Sequence, residues 1–287
     1  LRMVQAFGAG MTVVGVGALV RDYYEGREAA QMFALIGIIM MAVPLVAPML
    51  GAELQKLGGW RAIFVFLLAY AVLLLGLMAG FLPKPAKTEK IGRDIFAVVA
   101  GRFKRVLQTR AAMGYLFFQA FSFSSMFVFL TESSFVYMKL YGVSPRLYAW
   151  MFGLNIITMA TFNRITAWRL KTGTHPQAIL KWGIIVQLGA NLLMAVSAAA
   201  FDLPPFWLLV GCVMFSVGTQ GLVSANTQAC FMGYFKEEGG SANAVLGVCQ
   251  SVIGASVGML TTWLHNGTAQ IMPFMMLAST VCGIILL

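Results

Sequence analysis

The sequence predicts an all-α membrane protein, built as a bundle of about nine transmembrane helices. Hydrophobic residues make up 60% of the 287 residues and charged residues only 10%, whereas soluble domains carry roughly 25% charged residues. Apolar runs of about 20 residues recur along the chain, and each can cross a hydrocarbon core of ~30 Å. Strands of a membrane barrel would instead be segments of ~10 residues with alternating polarity, and the sequence contains none.

The apolar runs define the predicted spans, which are separated mostly by short connections. In order, they cover residues 1–20, 31–51, 61–82, 111–135, 147–168, 178–200, 205–228, 241–264 and 269–287. The fifth is the weakest, because Asn155, Asn163 and Arg164 interrupt it. The chain starts at Leu1 and stops inside an apolar run, so we expect it to be a piece of a longer protein.

The connections alternate in charge, and this pattern predicts their sides of the membrane. Alternate connections hold 13 Lys or Arg in total, namely 21–30, 83–110, 169–177 and 229–240. The other four hold three in total, namely 52–60, 136–146, 201–204 and 265–268. Cytoplasmic connections are enriched in Lys and Arg, so the first set is predicted to be cytoplasmic. This topology accounts for the net charge of +10, and no nucleic-acid partner is expected.

The long connection 83–110 is predicted to be a cytoplasmic linker. Its apolar residues recur on one face of a helix, at Ile95, Val98, Val99, Phe103 and Val106. Basic residues supply the other face, so we expect an amphipathic helix against the anionic inner leaflet. The linker separates residues 1–82, with three spans, from residues 111–287, with six. Because six spans form a natural half, 1–82 is interpreted as an incomplete half.

The second span is constrained by two prolines, Pro44 and Pro48, which lie between Gly37 and Gly51. Each proline removes a backbone hydrogen bond from a helix, and in hydrocarbon only neighbouring helices can make up the loss. Prolines four residues apart share one face. We therefore expect a bent or stiffened helix that packs tightly.

Two of the ionisable side chains inside predicted spans, Arg2 and Glu132, are candidates for a functional role. Arg2 would cost about 2.5–3.5 kcal/mol at the bilayer centre, so it should face protein or water and have a partner; the alternative is an interfacial position. Glu132 is the one acid well inside a span. A buried carboxylate can hold a proton near neutral pH, which suits proton coupling or substrate contact, whereas a wet position at the outer end of its span is the alternative.

Enzyme chemistry finds little support in the sequence. The two histidines, His175 and His265, lie in connections predicted to be on opposite sides of the membrane. There is no HExxH motif, no Walker motif and no pair of intramembrane aspartates, so we expect no metal and no cofactor. The four cysteines have no close partner in sequence and are interpreted as reduced packing thiols. A membrane-embedded enzyme stays a remote alternative.

Several motifs resemble those of the major facilitator superfamily. The pattern Arg2-x-x-Gln5-x-x-Gly8-Ala9 resembles its fourth-helix motif, and Pro44…Pro48-x-x-Gly51 resembles its fifth-helix antiporter motif. The runs 21–29, 59–64 and 141–145 are similar to the Bcr/CflA branch, which contains bicyclomycin and chloramphenicol resistance exporters. The departures from the motifs are Ala6, Ala47 and Ala52, which stand where the family has glycine. Alanine is still small enough for close helix contact.

The resemblance implies that the chain holds helices four to twelve of a twelve-helix bundle: 1–82 would be helices four to six and 111–287 helices seven to twelve. It implies proton-coupled efflux of drugs or small amphipathic molecules by alternating access, in a bacterial inner membrane. Its partners would be a drug-like molecule, protons and the lipid bilayer. The alternative within the superfamily is an importer or exporter of a metabolite or sugar, since fold alone does not decide function.

The resemblance also implies roles for particular residues. Arg2 would act in proton coupling or helix locking, together with Glu132. Gly37, Pro44, Pro48 and Gly51 would form the antiporter motif. The residues on the helices that line the family's pathway are Gln5, Gln119, Asn155, Gln220 and Asn226. For each of these, a hydrogen bond between helices is the alternative to contact with substrate.

Overall fold

The computed structural model describes residues 3–10, 12, 26–81, 95–235 and 239–287. Within these ranges, the side chains of 95–99 and of most of 26–45 are not described. All regular structure in the described residues is helical, which confirms the predicted all-α class. Arg2 lies outside the described residues, as do most of the first predicted span and residues 82–94, which include the first part of the linker.

The helices follow the predicted spans closely. Residues 3–10 are helical; the later helices are α1 (Gly26–Phe81), α2 (Ile95–Gln108), α3 (Arg110–Ser134), α4 (Pro145–Lys171), α5 (Pro176–Ala200), α6 (Phe206–Gly218), α7 (Gln220–Met232), α8 (Gly239–Trp263) and α9 (Ile271–Leu286). A π-helical turn at Phe135–Leu140 extends α3. Proline begins α4 and α5, where its missing N–H costs nothing.

The second and third predicted spans are joined more closely than the sequence suggested. Helix α1 runs through both, and its helical geometry fails only at Gly58 and Gly59, where Gly59 has φ of 65°. The predicted connection 52–60 is therefore mostly helical, and Lys56 and Glu53 pair across one turn at 2.8 Å. The chain divides into two compact units, 1–50 and 51–287.

Five stretches of the described residues are long and apolar enough to cross a membrane. They are Val46–Phe81, Arg110–Leu140, Pro176–Ala200, Phe206–Met232 and Gly239–Trp263. Helix α4 is not among them, which fits the polar interruptions of the fifth predicted span. Helix α9 is shorter, with 16 residues. The span predicted at 205–228 consists of two helices, α6 and α7, which meet at Thr219.

Helix α3 is the centre of the second unit, where it packs mainly against α8 and α9. Glycines permit this close approach. A Cβ atom on Gly258 would lie 2.8 Å from the ring of Phe127, and one on Gly254 would lie 3.4 Å from the ring of Phe123. The Gly254-x-x-x-Gly258 spacing therefore places two small residues where α8 meets α3. Helices α4 and α7 come equally close, because a Cβ on Gly221 would lie 2.7 Å from the backbone nitrogen of Asn163.

The bundle has two ends with separate apolar clusters. At one end, Phe103 and Val106 of the linker helix α2 pack against Phe231 and Phe235. The exposed residues of α2 include Arg102, Lys104 and Arg105, so the described part of the linker is an amphipathic helix seated on the bundle. At the other end, the connection after α3 is fastened by the Tyr141 hydroxyl, which donates to the carbonyl of Pro204 at 2.5 Å.

Candidate functional site

A buried network of neutral polar groups joins three helices at Ser122. The Ser122 hydroxyl of α3 donates to Oε1 of Gln187 on α5 at 2.9 Å. The amide of Gln220 on α7 donates to both the hydroxyl and the carbonyl oxygen of Ser122, each at 2.9 Å. All three side chains are buried. Hydrogen bonds of this kind hold membrane helices together where apolar packing alone gives little selectivity.

A second neutral network joins α3, α5 and α9. The Nδ2 atom of Asn191 donates to Thr280 Oγ1 at 2.8 Å, to Ser125 Oγ at 3.2 Å and to the carbonyl of Met276 at 3.3 Å. Asn191 has no exposed surface. The helices of the second unit therefore share a polar interior although their composition is strongly apolar.

The buried carboxylate of the bundle has a histidine partner. Glu132, in the last turn of α3, is buried, and its Oε2 lies 2.9 Å from Nδ1 of His265 in the connection between α8 and α9. The His265 ring meets the edge of Phe135 with centroids 4.5 Å apart at 83°. The contact thus brings together an acid that the sequence singled out and a histidine that it did not.

The other predicted site residues are distributed through the bundle. Gln119, Asn155, Gln220 and Asn226 are all buried between helices. Gln119 donates to the Ser224 hydroxyl at 3.2 Å, and Asn226 donates to the Leu222 carbonyl of its own helix. Their role in a transport pathway stays a prediction.

Three of these side chains each hold a buried oxygen that accepts no hydrogen bond from the described residues. The atoms are Gln119 Oε1, Asn155 Oδ1 and Asn226 Oδ1. A buried acceptor without a donor costs roughly 1–3 kcal/mol, so such atoms are candidates to receive a donor group from substrate or from another part of the protein.

The remaining predicted residues belong to the first unit, except Gly51, which is the first residue of the second. Gln5 is exposed. At Gly37 and Pro44 the structure describes the backbone alone, which is helical, and Pro48 and Gly51 are partly buried in the same helix. The two prolines do not interrupt α1, because its non-helical residues are Gly58 and Gly59. The antiporter motif stays a prediction.

Sequence reasoning missed His265, Ser122 and Asn191 as partners. His265 lies in the predicted connection between the last two spans, but nothing in its position indicates that the chain folds it back onto α3. Ser122, Gln187 and Asn191 are single polar residues within apolar runs, and this feature is the available signal. Their pairing depends on helix packing, which a single sequence does not reveal.

An apolar groove lies between α5 and α6. Its volume is about 430 Å³. The lining residues are Val186, Gly189, Ala190, Leu193, Trp207, Leu208, Gly211, Cys212 and Phe215. None of the predicted pathway residues lines it.

Comparison with known proteins decides the family. A model described as Major Facilitator Superfamily matches residues 1–259. The chain belongs to this superfamily. It is therefore a multi-pass membrane transporter by family and not an enzyme, as the sequence motifs predicted. The fold agrees: the chain superposes with a TM-score of 0.66 on a bacterial homolog to the human lysosomal transporter Spinster, at 12% identity, over 94% of this chain and 72% of that one.

Relatives within the superfamily bear resistance names. The chain is 30% identical over 290 residues to the bicyclomycin resistance protein homolog of Haemophilus influenzae, covering 99% of this chain and 71% of that protein. It is 26% identical to the chloramphenicol resistance protein of Pseudomonas aeruginosa, with 99% and 67% covered. It is 29% identical to the multidrug resistance protein MdtL of Shigella flexneri, with 92% and 63% covered. These relatives confirm the resemblance on which the sequence-based prediction rests.

Proposed function

We propose that this major facilitator chain belongs to a proton-coupled exporter of drugs or small amphipathic molecules in a bacterial inner membrane. The observation that carries the substrate class is the set of bacterial relatives named for resistance to bicyclomycin, to chloramphenicol and to multiple drugs, each matching at least 92% of this chain. The exchange with protons is supported by Glu132, a buried carboxylate in a bundle with few charges.

The proposed mechanism is alternating access, in which two halves rock about a central site. Residues 111–287 would form the C-terminal half, 1–82 part of the N-terminal half and 83–110 the linker between them. A proton that binds one orientation more tightly than the other shifts the population toward it. Glu132, together with Arg2, would supply this bias.

The proposed pathway residues are Gln5, Gln119, Asn155, Gln220 and Asn226. Support comes from the buried acceptors of Gln119, Asn155 and Asn226, which accept nothing from the described residues. The antiporter motif at Gly37, Pro44, Pro48 and Gly51 would hold the first unit in the arrangement that favours exchange over uptake.

The first experiment is a drug-susceptibility panel with the native protein expressed in a drug-sensitive bacterium. We expect raised tolerance to amphipathic antibiotics, and in everted vesicles we expect added drug to dissipate a preformed pH gradient. Unchanged tolerance across the panel, combined with proton-driven uptake of a nutrient, would overturn the proposal in favour of a metabolite or sugar carrier.

A matched pair of variants tests the proton coupling. Glu132→Gln removes the buried carboxylate and should abolish drug-induced proton flux while drug binding persists. Glu53→Gln removes an exposed carboxylate that pairs with Lys56, and it should leave the flux unchanged. Equal flux in both variants would remove Glu132 from the coupling mechanism.

A further inference from the structure

Glu132 stands apart from the other acids of the chain. From residue 111 onward the sequence contains four, Glu132, Asp202, Glu237 and Glu238. Asp202 lies exposed in the connection between α5 and α6, and residues 237 and 238 are outside the described residues. Glu132 is consequently the one carboxylate that the helices α3–α9 carry within the part of the chain that the structure describes.

The two members of the Glu132–His265 pair differ in the exposed fraction of their side chains. The side chain of Glu132 is 6% exposed and that of His265 is 30% exposed. Helices α8 and α9, on either side of the histidine's connection, both pack against α3, and the edge-on contact with Phe135 holds the imidazole in place. One partner is therefore enclosed by protein, while the other has an exposed edge, which the predicted topology places at the outer aqueous side.

Few charged groups surround the pair. Helices α6, α7, α8 and α9 contain no Asp, Glu, Lys, Arg or His. The cations on the elements around α3 are Arg102, Lys104 and Arg105 on α2, Lys139 on the π-helical turn, Arg146, Arg164, Arg169 and Lys171 on α4, and Lys181 on α5. The other titratable groups are tyrosines, Tyr137 on the π-helical turn and Tyr148 on α4, and thiols. The thiols are Cys212, Cys230, Cys249 and Cys282 on α6 to α9. Lys139 and Arg146 are exposed. Tyr148 is bonded to Ser133, with their hydroxyl oxygens 2.9 Å apart. Among the described residues, the ionisable side chain that lies within hydrogen-bonding distance of Glu132 is His265.

We infer that Glu132 and His265 together form a proton-binding site at the predicted outer end of the bundle, with His265 as the group that takes up the proton from the outer aqueous side. An ionised carboxylate only accepts hydrogen bonds, so in the proposed site Nδ1 of His265 carries the hydrogen that lies between the two side chains. The second ring nitrogen is then the basic atom. Its lone pair is what a proton from outside would occupy.

The proton balance of this site is simple. With a neutral imidazole the pair has a net charge of −1. Uptake of one proton from outer water at the second ring nitrogen gives an imidazolium beside the carboxylate, with a net charge of zero, and release reverses the step. No bond other than N–H forms or breaks.

Protonation of His265 changes the strength of the contact that joins α3 to the connection between α8 and α9. An imidazolium beside a carboxylate adds the attraction between opposite charges to the hydrogen bond, and a neutral imidazole lacks this attraction. The protonated pair therefore ties the connection between α8 and α9 firmly to α3, and the deprotonated pair ties it weakly. A use for this change in transport rests on the proposed proton exchange, whereas the chemistry of the site can be measured without transport.

The test is a double-mutant cycle on the native protein in detergent, followed by thermal unfolding. The variants are Glu132→Gln, His265→Asn and the combination of both, each measured near pH 5.5 and near pH 8.5, on either side of the range where histidine normally changes charge. We expect the coupling between the two sites to shift the unfolding midpoint by about 2–4 °C at the lower pH and by less at the higher pH.

The control is the other histidine. His175 is exposed at the start of α5, and its side chain makes no capping hydrogen bond there, so His175→Asn should show no coupling with Glu132→Gln at either pH. Equal coupling of Glu132 and His265 at both pH values would overturn the proton site, since it would mean a plain neutral hydrogen bond. Zero coupling at both would also overturn it.

Further variants keep the test decisive if Glu132→Gln does not fold. His265→Asn alone should flatten the pH dependence of the midpoint, and His265→Lys, with its fixed charge, should flatten it near the value of the protonated protein. Retention of the native pH dependence in either variant would overturn the site. Failure of drug transport with these results intact would overturn the proposed function and leave the proton site standing.

Discussion

Two buried polar side chains of helix α3, Ser122 and Glu132, are each paired with a different kind of partner. Ser122 lies deep in the bundle and bonds to two neutral amides, Gln187 and Gln220. Glu132 lies ten positions further on, roughly 15 Å along the helix axis, and bonds to an ionisable ring, His265, whose side chain is partly exposed. Both contacts join elements far apart in sequence.

The difference teaches where pH can act on this fold. The amide network is neutral and enclosed, so its strength should not depend on pH. The carboxylate–imidazole pair is the kind of contact whose strength follows proton occupancy. We therefore expect the stability contributed by the Ser122 network to be independent of pH and that contributed by the Glu132–His265 pair to depend on it.

The largest expected loss of stability comes from removing the Ser122 hydroxyl at the centre of the bundle. Ser122→Ala removes the hydroxyl that serves Gln187 and Gln220 and leaves two buried amides with fewer partners. We expect the free energy of unfolding to fall by about 1–3 kcal/mol, equally near pH 5.5 and pH 8.5. The measurement is thermal unfolding in detergent, and Ser251→Ala, at an exposed site on α8, is the control. A pH-dependent loss in Ser122→Ala would contradict the contrast.

A second variant replaces both members of the Glu132–His265 pair together. Buried ion pairs can often be replaced by apolar residues with little loss, whereas removal of one partner is costly. We expect the double variant Glu132→Leu/His265→Leu to stay within about 1 kcal/mol of the native protein and to lose its pH-dependent stability, while Glu132→Leu alone is less stable. If the double variant were less stable than both the native protein and Glu132→Leu, the pair would be a structural contact. The proposed difference between it and the Ser122 network would then be wrong.

The second neutral network predicts a smaller effect. Asn191→Leu removes three donated hydrogen bonds, but the Thr280 hydroxyl keeps its own bond to the Met276 carbonyl at 3.0 Å. The loss should therefore be about 0.5–1.5 kcal/mol and independent of pH, as judged by the unfolding midpoint. A loss larger than that of Ser122→Ala would move the centre of the bundle from Ser122 to Asn191.

The smallest expected loss of stability is at Tyr141, at the same end of the bundle as the Glu132–His265 pair. Tyr141→Phe removes the bond to the Pro204 carbonyl and should cost about 0.5–1 kcal/mol. Burial raises the pKa of the Tyr141 hydroxyl above its usual value. The stability from this neutral hydroxyl is thus full below the usual tyrosine pKa of about 10 and is lost as pH rises through the higher folded value. A titration of the unfolding midpoint that showed the Tyr141 contribution vanishing between pH 5 and 8 would contradict this assignment.

Much of the fold followed from the sequence because hydropathy and charge act locally. The bounds of α3, α5 and α8 differ from the predicted spans by only a few residues, since each is an apolar run between polar ends. The break between α6 and α7 was not predicted. At that point Gly218 lies so close to Thr158 of α4 that an added Cβ would be 2.6 Å from its Cγ2 atom, and such a contact depends on the neighbouring helix.

The site was less predictable, and for the same reason. The sequence marked Glu132, Gln119 and Gln220 as unusual because each is polar within an apolar run. It did not give their partners, which are 133, 105 and 98 residues away. Arg2 and the antiporter motif were inferred from a family pattern in the first unit, where the structure describes less of the side-chain detail.

The π-helical turn at Phe135–Leu140 has a consequence for comparing this chain with its relatives. A π-turn holds one residue more than an α-turn and commonly arises as a single-residue insertion in a helix. Phe135, the first residue of this turn, is the one that meets the His265 ring. A relative with one residue fewer here would keep Glu132 in register but present every later side chain rotated by about 100°. Sequence alignments across this point should therefore be anchored separately on α3 and on Pro145, and a one-residue gap between them marks a change in geometry at the outer end.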